Sequence, residues 1–268
     1  VYCWGLLLGG DGVMRPSPTP VKVQNLPAVR FISAYTITTC AVDEKFRVWC
    51  WGINLQESIK KKVEVVSNTA FLVEGLPPVQ RVSVGYTHAC ALTLDGKILC
   101  WGNNPAGEIG TGDKSSHWQP QEVLEASGAS SLGTGVNNTC AVVDPGNVKC
   151  WGTDDQRATG GGFVFRSIRP VDIPNSLGIE KVANGRNFVC GIHDSGKVVC
   201  WGSNLYYQLG ASDDALRGQI AGLAAAGEVK DAIDVAAGFF SACAVSRSGS
   251  VACWGLWTLS NELPSPAP

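Results

Sequence analysis

The sequence predicts an all-β fold built blade by blade, a β-propeller of four-stranded units, and three observations point there. Cys-Trp-Gly stands six times, beginning at Cys3, Cys50, Cys100, Cys150, Cys200 and Cys253, so the chain repeats with a period of about 50 residues. Five of these cysteines are each preceded by another, giving the pairs Cys40 and Cys50, Cys90 and Cys100, Cys140 and Cys150, Cys190 and Cys200, Cys243 and Cys253. Short β-type segments and glycine turns fill each period. A unit of this kind cannot bury its apolar face alone, so successive units must pack on one another.

The copy over residues 79–102 shows the elements most clearly. Residues 79–85 alternate apolar and polar and read as a first strand. Residues 86–94 and 97–102 flank Asp95-Gly96 and read as a hairpin with a two-residue turn, because Asp-Gly tolerates positive φ. A further strand recurs around Val21 and Leu72, which brings each unit to four. No apolar pattern of helical period lasts three turns, which argues against a helical solenoid. Residues 213–230 alone have helix-forming composition and read as a loop with one helical turn.

Bulk properties agree. With 45% hydrophobic and 16% charged residues and 32 glycines, the 268-residue chain fits a β-rich globular protein and not a disordered one. Residues 1–268 read as a single propeller domain of five full units with partial units at the ends. A formal charge of −2 argues against nucleic acid as a partner, and the basic cluster Lys60, Lys61 and Lys62 reads as a solvated loop. No apolar run approaches the ~20 residues a membrane-spanning helix needs, so membrane insertion is not expected. Nothing at Val1 resembles a signal peptide, and without an initiator Met the chain reads as processed or trimmed.

Turn residues midway between each pair place the two cysteines opposite each other on adjacent antiparallel strands, where Cα separations of about 4.5 to 5.5 Å suit a disulfide. Five disulfides, each within one hairpin, are the expectation. Buried free thiols and a zinc site are the alternatives, and neither accounts for strict pairing across every hairpin. Oxidised pairs place the protein outside the cytosol, in an extracellular, cell-surface or periplasmic setting. Cys3 is left over, the second member of a pair whose first lies before Val1. An excerpt of a longer propeller, interlocking ends and an intermolecular contact through Cys3 are the alternatives it leaves open.

Residues 101–112, Trp-Gly-Asn-Asn-Pro-Ala-Gly-Glu-Ile-Gly-Thr-Gly, and residues 85–92, Gly-Tyr-Thr-His-Ala-Cys-Ala-Leu, closely resemble the repeat of the regulator of chromosome condensation family. The resemblance runs through the whole chain and implies a propeller. Its cysteine pairing is similar to secreted variants, among them a propeller-type β-lactamase inhibitor and crinkly-type receptor ectodomains. Members of the family commonly close with seven blades, which at this period needs about 350 residues, so the blade number is left open.

Function is sought where the copies differ. The loop between the first and second strands changes character from unit to unit and, in the inhibitor this chain resembles, carries aromatic contacts. Tyr35, Tyr86, His88, Arg186, Phe188, Phe239 and Phe240 are therefore the candidate binding residues. The main reading is a secreted or cell-surface scaffold recognising an unknown protein partner. The alternatives are a guanine-nucleotide exchange factor-like regulator and an enzyme. Against an enzyme, His88, His117 and His193 occupy non-equivalent places, and no nucleophile elbow, metal-ligand pair or phosphate loop is present. No catalytic residue, metal or cofactor is assigned. Asp154-Asp155 and Asp213-Asp214 read as solvated turns rather than cation ligands.

Overall fold

Each repeat folds into one antiparallel sheet. The computed structural model describes residues 1–5, 17–62, 65–153, 166–210, 219–226 and 229–256. In the second blade Val79–Val84, His88–Thr93, Ile98–Gly102 and His117–Glu122 lie side by side in chain order. The first strand lines the centre and the fourth lies outermost. His88–Thr93 is buried at every position because neighbouring blades cover both its faces, which is why it reads as a continuous run rather than an alternation. The hairpin differs from the two-residue turn expected at Asp95-Gly96. The Thr93 N–H donates to Lys97 O (2.9 Å) and the Gly96 N–H to Thr93 O (3.2 Å), so residues 94–96 form a three-residue connection, with Gly96 taking φ +79° at its end.

Five blades follow one another over residues 29–72, 79–122, 129–172, 179–225 and 232–255. The first four have four strands. The fifth has three among the described residues, and Tyr2–Gly5 with Ser17–Lys22 forms a separate two-stranded sheet. Inner strands of all five blades surround a central channel of about 330 Å³. The hairpin register sets Cys40 against Cys50, Cys90 against Cys100, Cys140 against Cys150, Cys190 against Cys200 and Cys243 against Cys253. All five pairs are bonded, with Cα separations of 4.0 to 4.1 Å. Cys3 is unbonded and half-buried, and desolvation pushes its thiol above the ordinary range.

Trp101, Trp151, Trp201 and Trp254 of the repeated Cys-Trp-Gly each join their blade to the one before. Trp101 packs among Cys40, Val42, Val48 and Cys50 of the first blade, and Trp151 meets the equivalent residues of the second. Trp201 and Trp254 do the same on the third and fourth. Trp151 Nε1–H also donates to Glu108 O, and Trp254 Nε1–H to Gln208 O, both at 2.9 Å. Large rings bury much apolar area, and satisfying the indole N–H removes the cost of hiding it. The following glycine is fixed by closeness: Gly52 has φ +92°, and a Cβ there would collide with the Ile37 carbonyl oxygen.

Two local expectations are corrected. Lys60 and Lys61 do not lie in a loop but close the helix Leu55–Lys61, whose N-cap Asn54 accepts the Glu57 N–H at 3.1 Å and whose Glu57 pairs with both lysines. Leu55 and Gln56 anchor this short helix by burial, so tertiary packing overrides the absence of a long helical pattern. Within residues 213–230, the described part contains the strand Gln219–Ala225, because the fourth-strand slot of the fourth blade outweighs the helical propensity of its alanines.

Candidate functional site

The loops joining first to second strands and the segments following Cys-Trp-Gly emerge at the same end of every blade, since the third strand runs parallel to the first. They build one face of the propeller. Backbone contacts fasten these loops to each other: the Tyr86 N–H donates to Gly135 O (3.0 Å) and the Arg186 N–H to Phe239 O (3.2 Å). A Cβ on Gly85 would stand 2.5 Å from Gly135 O, so that loop passes too close to its neighbour for any other residue.

The seven residues proposed from the sequence divide into two groups. His88 and Phe188 are fully buried, which corrects their assignment as contact residues. His88 Nε2 lies 2.9 Å from Thr139 Oγ1 of the next blade, and burial lowers its pKa to about 3, so it is a neutral strut between blades. Phe188 packs in the core of the fourth blade. Tyr35 is also buried, at the channel mouth; desolvation pushes its phenol above the ordinary range, opposed by the charge of Arg186. These three fill and join the blades.

Tyr86, Arg186, Phe239 and Phe240 reach the surface. The Arg186 guanidinium lies 4.9 Å from the Phe239 ring centre and 5.6 Å from that of Phe240. Phe239 meets Phe240 edge-on at 4.8 Å, and Tyr206 meets Phe240 at 4.6 Å. One cation and three rings thus form a patch across the fourth and fifth blades, with Phe239 and Tyr206 each 37% exposed. Mutual packing limits their rotamers, so little side-chain entropy remains to be lost on binding. Tyr86 belongs to a second feature, a groove of about 530 Å³ between the helix Leu55–Lys61 and the second blade, floored by Leu55 and Ile59. Beside it Lys60 Nζ stands 4.1 Å over the Trp118 ring.

Tyr206 and the helix carry no repeat signal and were missed among the candidates. Their only mark in the sequence is their place in the variable segments after Gly52 and Gly202. Among the described residues no group of three or more His, Cys, Asp or Glu is placed to hold a metal. Asp154-Asp155 and Asp213-Asp214 lie outside the described residues.

The signature of the regulator of chromosome condensation (RCC1) repeat matches residues 79–108 and 179–208. No curated protein matches the sequence. Among solved structures, yeast RCC1 (Prp20) bound to Kap60 superposes over 100% of this chain and 71% of its own with TM-score 0.83 at 20% identity. Prp20p from Saccharomyces cerevisiae, described with its binding properties to Gsp1p and histones, gives TM-score 0.81 at 21% identity over 96% of this chain and 66% of its own. Human WBSCR16 gives 0.79 at 21% identity over 97% and 72%.

These neighbours correct the placement drawn from the cysteines. The expectation of a secreted or cell-surface scaffold for an unknown partner, in an extracellular or periplasmic setting, gives way to a likeness with a Kap60-bound, Gsp1p- and histone-binding regulator. The physical reason is that hairpin register alone brings each sulfur pair within bonding distance, so the pairs report strand geometry rather than compartment. The signature of the regulator of chromosome condensation repeat thus falls on the second and fourth of the five blades formed by the described residues.

Proposed function

We propose that this propeller is a guanine-nucleotide exchange factor-like regulator, built on a cysteine-paired variant of the repeat, and that it holds its protein partner on the loop face. The observation that supports this most is the likeness of the whole chain to Prp20, a protein described with its binding to Gsp1p. Exchange by such a regulator needs no catalytic group. If the propeller binds the nucleotide-free form of its partner more tightly than the loaded form, linkage lowers the partner's nucleotide affinity by the same factor. What this requires is a rigid face with anchoring side chains. Tyr86, Arg186, Phe239, Phe240 and Tyr206 supply them, on loops tied together by backbone hydrogen bonds.

The test is release of a fluorescent guanine nucleotide from loaded Gsp1p, followed as the chain is titrated in. The expected outcome is acceleration that rises with chain concentration and saturates. Arg186→Ala combined with Phe239→Ala should weaken the half-saturation point by about tenfold or more with the melting temperature unchanged. Absence of both acceleration and binding would refute the regulator reading. Undiminished acceleration by the double variant would move the contact surface away from this patch.

A further inference from the structure

The groove beside Tyr86 is framed by the first and second blades, both described over all four strands. Its apolar lining comes from Ile53, Leu55 and Ile59, and the exposed ring of Tyr86 stands beside them. At about 530 Å³ it falls within the range of about 300 to 1,000 Å³ in which clefts hold ligands. It opens on the loop face, as the Arg186 patch does.

Charge around the groove runs against that of the chain. The molecule as a whole carries −2. The segments that build the groove, residues 53–62 and 103–116, show Lys60, Lys61, Lys62 and Lys114 on their surface against Glu57 and Asp113, four cations to two anions, while Glu108 in the same stretch is buried. Glu57 is shared by Lys60 at 3.2 Å and Lys61 at 3.1 Å, and Asp113 is engaged in its own loop, where it accepts the Ser115 N–H at 2.9 Å. Among the described residues Lys62 and Lys114 enter no ion pair. Lys62 lines the groove from the end of the helix, and Ser116, two residues after Lys114, lines it from the second blade. An apolar trough with unneutralised ammonium groups at its rim repels a basic occupant and leaves part of its own field unanswered by a purely apolar one.

We propose that this groove takes an acidic segment of the partner protein, one large apolar side chain entering the trough while neighbouring carboxylates pair with Lys62 and Lys114. The inference rests on the regulator reading, which supplies the partner and the face, and adds the chemistry that is recognised there. The two parts have different tasks. Burial of the apolar side chain against Ile59 and Leu55 supplies affinity, and the rim charges supply orientation and speed of encounter.

The test follows release of a fluorescent guanine nucleotide from Gsp1p at about 10 and about 150 mM salt, between which the Debye length falls from about 30 to about 8 Å. With the parent chain the half-saturation point should rise about tenfold with salt. Lys62→Asn suits the left-handed backbone at this position (φ 54°) and should raise that point about threefold at low salt while flattening its salt response. Ile59→Ala keeps the helix propensity and should raise it about tenfold at both salt concentrations. A photo-crosslinking residue in place of the exposed Ser116 should capture an acidic peptide of Gsp1p, identified by mass spectrometry. Acceleration that ignores salt and both variants, or capture of a basic or neutral peptide, overturns the groove assignment and leaves the regulator reading standing. Absence of acceleration by the parent chain overturns the regulator reading and the groove assignment with it.

Discussion

Glu108 is the residue at which the fold most plainly resists its own chemistry. It is fully buried, Oε2 accepts the Ala106 N–H at 2.7 Å, and Oε1 has no partner. Desolvation raises its pKa from 4.5 to about 7, against the lowering effect of backbone hydrogen bonds. In the fourth blade the same turn holds Gln208, whose Oε1 accepts the Tyr206 N–H at 2.8 Å, so an amide fits where the acid sits. The unfolded chain ionises this carboxyl at lower pH than the folded one. Its contribution to stability is therefore whole below pH 4.5 and is lost as pH rises towards 7. Glu108→Gln should change little at pH 4 and stabilise by roughly 3 kcal/mol at pH 8, read from urea midpoints at the two pH values. Equal effects at both would mean that the carboxyl does not titrate on unfolding. His88 has the opposite sign: its folded pKa is depressed to about 3, so what it contributes is whole above 6.5 and fades as the pH falls.

At the scale of the element, the hairpin is the unit that repeats without variation, and its cysteines face each other in direct register. Each disulfide closes a short loop, for which the chain-entropy model allows somewhat under ~3 kcal/mol. Replacing Cys90 and Cys100 together by Ala should lower the urea midpoint by that equivalent while leaving the strands in place, as followed by circular dichroism. No change would show that strand pairing already orders the hairpin in the unfolded chain. The helix Leu55–Lys61 makes the contrasting case: it is too short to form alone, and buried Leu55 and Gln56 hold it in place.

Across the whole molecule, stability is a sum of blade interiors and blade-to-blade contacts, as in other repeat arrays. Among the described residues the fifth blade has such a contact on one face, and Cys243, Val245 and Cys253 are half-buried where their counterparts in the inner blades are hidden. In dilute solution the amides of Ser241–Ser246 should exchange with deuterium well before those of Asn138–Val143. Equal protection in the two strands would show that the array unfolds as one body. Within such a body the loop face is held from several blades at once, and the distances among Arg186, Phe239, Phe240 and Tyr206 depend on that support.

The sequence by itself determined the propeller, the blade period, the hairpins and the cysteine register, because these follow from local spacing and strand alternation that recur in every copy. It also singled out Tyr86, Arg186, Phe239 and Phe240, whose variation between copies is visible in one dimension. What it left undecided was which variable side chains face water. Phe188 and Phe239 stand in neighbouring copies of the same loop, yet one is buried and the other exposed. The difference is one of place in the repeat: Phe188 stands two residues before its hairpin cysteine, where Thr38, His88 and Asn138 are buried too, and Phe239 stands four before, where Tyr86 and Arg186 are exposed. Tyr206 and the short helix emerge only when blades are set side by side, since their packing depends on neighbours distant in the chain.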